Sequence, residues 1–139
     1  MTYTIEQKRA FLETAIESSP FTKWIGTRLT VFEEGKVEIE VAIRPDLTQH
    51  HGFAHGAVVG YLADTACAWA AASVVGDVVT AGYTLNLLSP AVGEVLRCRA
   101  EVLKASRSQV VARADVFAVK GGEEKIVATA LATIARVER

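Results

Sequence analysis

The 139-residue chain has little cysteine, little proline and no excess of either charge, and each shortage narrows what it can be. Its two cysteines, Cys67 and Cys98, are far apart, lie inside apolar segments and form no CxxC pair. That excludes a disulfide-stapled scaffold and fits a reducing, cytoplasmic setting. Fifteen basic residues against sixteen acidic ones leave a net charge of -1, so a nucleic-acid partner is not expected. Charged residues make up only 22% against 50% hydrophobic, which excludes disorder. The first ten residues lack the apolar core of a signal peptide. The longest apolar run, 57–72, is too short to span a bilayer and contains Asp64, so no membrane association is expected. No repeat, low-complexity tract or linker divides the chain, and residues 1–139 are read as one domain. Its apolar content is high for that size, which points to surface buried between subunits.

The three prolines, Pro20, Pro45 and Pro90, each fall where a patterned segment stops. Thr4 and Gln7 have the spacing of a capping box, and Ile5, Phe11, Leu12, Ala15 and Ile16 then share one face. This predicts an amphipathic helix over 5–18. A short connector over 21–26 is expected to bury Trp24. From Thr27 the period becomes two: Val37, Ile39, Val41 and Ile43 alternate with Lys36, Glu38 and Glu40, the pattern of a strand with one solvated face. Glu34-Gly35 turns strand 27–33 into it. Residues 56–74 are alanine-rich, proline-free and apolar on nearly every side, which predicts a helix wrapped by other structure. Four strand-like segments follow, at 78–88, 94–104, 108–119 and 124–137, the last pair joined at Gly121-Gly122. An α+β arrangement satisfies this order: a six-stranded antiparallel sheet curved around one central apolar helix, with an extra helix at the N-terminus.

Asp64 is the odd residue in that central helix, because a lone buried carboxylate costs several kcal/mol unless it has a partner or a use. Directly upstream lies a polar stretch, Gln49-His50-His51-Gly52-Phe53-Ala54-His55-Gly56. From these residues alone, Asp64 is either a hydrogen-bonded structural acid or a catalytic one. His50, His51 and His55 are close enough in sequence to suggest a metal, but no acidic or cysteine ligand accompanies them at helical spacing. Cys67 has no histidine tied to it by spacing and reads as a small core residue.

The run Gln49…His55-Gly56-Ala57…Leu62-Ala63-Asp64-Thr65-Ala66, followed by Thr80…Leu85…Ser89-Pro90-Ala91…Gly93, resembles the hotdog-fold acyl-CoA thioesterases. It is most similar to the phenylacetate-degradation thioesterase group, relatives of the 4-hydroxybenzoyl-CoA enzymes. The resemblance covers about residues 27–137. It implies that the Gly56 N–H receives the thioester carbonyl at the start of the central helix, where the helix dipole helps. It implies that Asp64 is general base or nucleophile, that Gln49 positions water or thioester, and that His55 holds the loop and helix start. In such enzymes the carboxylate of one subunit faces the glycine of the other, so a homodimer is the expected active unit and a homotetramer the expected assembly.

The chain also departs from the family pattern. Ala57 replaces a second glycine, and Ala68 stands where one branch places Ser or Thr a turn after the carboxylate; Thr80 is the candidate substitute. Lys104 and Arg107 resemble the basic turn that holds CoA phosphates, and read equally as a solvated hairpin. Phe53 and Tyr83 are candidates for the acyl pocket. The expected activity is hydrolysis of an acyl- or aryl-acyl-CoA to free acid and CoA. No cofactor and no metal are expected, since sulfur is a good leaving group. Alternatives are a non-catalytic acyl-CoA-binding hotdog protein and a hotdog hydratase.

Overall fold

The computed structural model describes residues 2–137. Two helices, α1 (Ile5–Glu17) and α2 (Pro20–Ile25), precede a hairpin of β1 (Arg28–Glu33) and β2 (Lys36–Ala42). The central helix α3 (Gly56–Val75) follows, then β3 (Val78–Leu87), β4 (Val95–Ala105), β5 (Gln109–Lys120) and β6 (Glu123–Arg136). All six strands form one antiparallel sheet in the order β1-β2-β4-β5-β6-β3. Its concave face wraps α3, which gives the expected hotdog fold.

Alanine explains how sheet and helix come so close. Ala63, Ala66, Ala70 and Ala71 of α3 are buried, as are Ala112 and Ala114 of β5 and Ala130 and Ala132 of β6. Larger inward side chains, Ile39 and Val41 of β2, Leu96 of β4 and Ile134 of β6, fill the space at the margins. By length and apolarity alone α3 could cross a membrane, but ten of its twenty residues are buried within the domain, which makes it a core helix. Its C-terminal end is tied down from two sides. The Lys8 ammonium of α1 donates to the Ser73 carbonyl at 3.0 Å, and the buried Ser73 hydroxyl accepts from the Gly35 N–H at 2.7 Å.

The sequence periods give the elements closely, and the Thr4–Gln7 capping box is present. Three expectations are corrected. Residues 20–25 are helical rather than a plain connector, and Pro20 starts that helix instead of only ending α1. Trp24 is 57% exposed, and it is Ile25 that turns into the core. Arg44 covers one face of the Trp24 ring at 5.0 Å while donating to the Trp24 and Ile25 carbonyls. The outer face of β2 is also not simply solvated. Glu40 is only 8% exposed, because Arg28 of β1 and Arg97 of β4 close over it.

Candidate active site

β3 runs along the N-terminal part of α3 and sets the geometry of the site. Every fourth residue of α3 faces it: a Cβ on Gly56 would lie 3.3 Å from Leu87 Cδ1, and one on Gly60 would lie 3.3 Å from Tyr83 Oη. One turn further on, Asp64 accepts a hydrogen bond from Thr80 Oγ1 at 2.6 Å. A β-bulge between Thr80 and Gly82 makes this possible. The extra residue, Ala81, shifts the alternation, so that Thr80 on one side and Tyr83, Leu85 and Leu87 on the other all point toward the helix.

The Asp64 carboxylate is half-buried rather than sealed in the core. Among the described residues only its Oδ1 accepts a bond, which leaves Oδ2 open to a ligand. Its charge has a visible effect on a neighbour. Burial, and after it the negative charge of Asp64, push the Cys67 thiol up to about 12. Burial likewise raises Cys98. Neither thiol ionises near neutrality, so neither is a nucleophile.

The N-terminus of α3 is prepared in a different way. His55 is the N-cap, and its Nδ1 accepts from the Ala57 N–H at 2.9 Å. The His55 carbonyl accepts from the N–H groups of Val58 and Val59. Among the described residues nothing accepts from the Gly56 N–H, so one donor is left open at the positive end of the helix dipole. Ala57, whose own N–H is taken by His55, is exposed.

The remaining candidates fall into two groups. Gln49 lies in the loop before α3, where its Oε1 accepts from the His51 N–H and its carbonyl from the Gly52 N–H. It touches neither Asp64 nor Gly56 of the same chain by hydrogen bond. The rings of His51 and Phe53 stack at 5.6 Å beside it, with the His50 ring 4.0 Å from His51. No group of three His, Cys, Asp or Glu side chains among the described residues is placed to hold a metal ion. Lys104 and Arg107 are exposed at the β4–β5 turn. The residues Ala105, Val110, Ile134 and Thr80 form one row across the sheet, so that turn lies at the Thr80 end, three strand spacings or about 14 Å away.

Gly60 is a residue that the sequence reading passes over, although a signal for it exists. It is the one glycine between Gly56 and Asp64, at four-residue spacing from each, in a helix otherwise built of better helix formers. Its lack of a side chain lets the Tyr83 hydroxyl rest on the helix. Gly56 and Asp64 are separated by eight residues, about 12 Å along the axis. Within one chain they cannot act on the same carbonyl.

The thioesterase superfamily matches residues 51–125, more than half of the chain. A thioesterase family protein from Silicibacter pomeroyi is 34% identical, with a TM-score of 0.90 over 97% of this chain and all of that one. A mutant of the phenylacetic acid degradation protein PaaI from Thermus thermophilus is 28% identical, with a TM-score of 0.75 over 86% of this chain and all of that one. The E. coli PaaI protein from the phenylacetic acid degradation operon shares the fold, with 22% identity and a TM-score of 0.86 over 97% of both chains. No curated protein matches the chain. The chain belongs to the thioesterase superfamily, and within it to the hotdog thioesterases of the PaaI-like group.

Proposed function

We propose that the protein is an acyl-CoA thioesterase whose active unit is a homodimer. The observation that carries this reading is the half-buried Asp64 carboxylate, held by Thr80 through one oxygen with the other left open. The open Gly56 N–H supplies the second half of the chemistry. Because these groups lie about 12 Å apart in one chain, the site combines Gly56 of one copy with Asp64 of a second. The interface is the free edge of β3, which ends the sheet and exposes Val79, Tyr83 and Leu87. An apolar edge of ten residues left bare invites pairing, and pairing with itself is closed by a two-fold axis. Two such dimers then make the homotetramer.

The thioester carbonyl oxygen sits on the Gly56 N–H, where developing negative charge meets an oriented donor. Asp64 takes a proton from water as the water oxygen attacks the carbonyl carbon. Collapse of the tetrahedral intermediate breaks the C–S bond, and CoA leaves as a thiolate that takes up the proton. Thr80 holds the carboxylate in place, Gln49 orients the water from its loop, and His55 keeps the helix start open for the substrate. Lys104 and Arg107 meet the CoA phosphates. Two buried, free thiols fit a reducing cytoplasm.

Release of free thiol from a panel of aryl and aliphatic acyl-CoAs tests this. Hydrolysis is expected, and Asp64→Asn, which keeps the volume and removes the base, is expected to lower kcat by about a hundredfold or more. Wild-type rates in Asp64→Asn would refute the assignment, and binding without thiol release by the wild type would favour the acyl-CoA-binding alternative.

A further inference from the structure

The family match begins at residue 51, so α1 lies outside it, yet α1 builds one wall of a groove of about 750 Å³. Phe11 and Leu12 of α1 form one side, Ala68, Trp69 and Val75 of α3 the floor and opposite side, and Val78 of β3 the margin. Two elements lead from the Asp64–Thr80 pair into it. Ala68 follows Asp64 by one helical turn, about 6 Å. Val78 precedes Thr80 by two strand residues, about 7 Å, and both point to α3. The groove therefore begins one helical turn beyond Asp64 and two strand residues before Thr80, neither of which lines it.

Its shape and lining restrict what fits. From Ala68 to Val75 it follows α3 for two turns, about 10 Å. Small side chains on the floor, Ala68 and Ala72, leave its depth open. The charged residues, Lys8 and Asp77, sit only at the far end, beside the C-terminus of α3, and the Lys8 ammonium is engaged with the Ser73 and Val74 carbonyls. A volume of this size lies within the range of small-molecule sites and exceeds what a single aryl ring needs. A charged acyl tail would lose its hydration along the apolar stretch without a partner.

Resting on the thioesterase reading of Asp64, we infer that this groove takes the acyl group, and that the substrate is an elongated, uncharged, aliphatic acyl thioester. α1 is then the specificity element. The substrate lies with its carbonyl at Asp64 and its tail along Ala68, Ala72 and Val75, under Phe11.

The test compares decanoyl-CoA with acetyl-CoA in the full-length protein. The wild type is expected to prefer decanoyl-CoA in kcat/KM. Ala72→Leu, which fills the floor, is expected to lower the decanoyl-to-acetyl ratio about tenfold or more. Phe11→Glu changes an exposed side chain whose ring meets, among the described aromatic rings, only that of Tyr3, edge-on at 5.1 Å, and is expected to lower the same ratio through KM for decanoyl-CoA. Binding is read separately: in Trp24→Phe, Trp69 is the sole tryptophan, and the non-hydrolysable decanoyl-CoA thioether is expected to change its fluorescence. An unchanged ratio in both variants, with Asp64-dependent hydrolysis intact, overturns the groove and spares the thioesterase reading. A Trp69 response that Ala72→Leu abolishes, in a protein that hydrolyses neither thioester, does the reverse.

Discussion

The sheet has two edges, and they are built to opposite specifications. β1 is six residues long and carries Arg28 and Glu33. Its bulge leaves Thr30 hydrogen-bonded through its side chain to Glu38, and Arg28 is paired with Glu40 at 2.9 Å. β3 is ten residues long, contains no charged residue, and presents Val79, Tyr83 and Leu87 to solvent in the isolated chain. Short, charged and bulged is how a sheet edge is kept unpaired; long and apolar is how one is prepared for a partner. Both strands have a bulge, but only that of β3 aims a side chain at a carboxylate on the central helix. The edge that carries the Thr80–Asp64 contact is thus the long, uncharged one.

Placing the same charge on both edges is the strongest way to break this comparison. Thr84→Lys puts an ammonium on the exposed face of β3, and is expected to give a monomer by light scattering and to lower kcat/KM by about a hundredfold, as a site loses its oxyanion donor. Thr30→Lys on β1 is expected to leave both readings at the wild-type level. Dimers in both variants, or monomers in both, would remove the distinction between the edges. Gly60→Val tests the contact between β3 and α3 instead. Its Cβ would press on Tyr83 Oη and Leu85 Cδ2, so a loss of about 1–3 kcal/mol in urea unfolding is expected, together with reduced turnover.

The two edges also differ in how far they are legible from sequence. The elements are, because hydrophobic period is local: alternation at 37–43 and an alanine-rich run at 57–72 leave few options. Strand order is not, since nothing local to β3 says that it pairs with β6 at the sheet's end. Trp24 reads as core from its type alone, but in a helix of six residues only one face turns inward, and Ile25 and Thr22 occupy it. Glu40 points outward as alternation requires, and is buried by Arg97, 57 residues away, which no local pattern announces. The site shows the same division. The spacing of Gly56 and Asp64 can be read directly, and fixes their separation on a helix; the contact of Asp64 with Thr80 depends on a bulge that the alternation of 78–88 does not reveal.

Removing that contact is the next test of what β3 contributes. Thr80→Val keeps the shape of the side chain but leaves Asp64 without its donor. Hydrogen bonds to a charged group are worth about 1.5–3 kcal/mol, so kcat is expected to fall about tenfold with little change in KM. A larger loss in KM than in kcat would mean that Thr80 serves binding instead of the carboxylate.

The smallest effect is expected on the β1 side of the sheet, where charge does the holding. Arg97 and Arg99 of β4 both donate to Glu124 of β6, at 2.7 and 2.6 Å, while also reaching Glu40 and Glu38 of β2. Hydrogen bonds from Arg99, and then from Arg97, hold the Glu124 carboxyl down at about 2, against 4.5 for an unperturbed glutamate. Between those values the unfolded chain binds the extra proton, so this group's contribution to stability is complete above 4.5 and is lost as pH falls toward 2. Glu124→Gln is therefore expected to lower Tm at neutral pH by a few degrees at most, because partly exposed pairs are screened. The gap to wild type should close as pH falls through that window, and should also shrink in high salt, where the Debye length drops to about 3 Å at 1 M. Activity and dimer mass should not follow, since the network lies among β2, β4 and β6 on the outer face, away from Asp64 and from the β3 edge. A Glu124→Gln protein that became monomeric would show that the ionic face of the sheet, and not only its apolar edge, is part of the contact between copies.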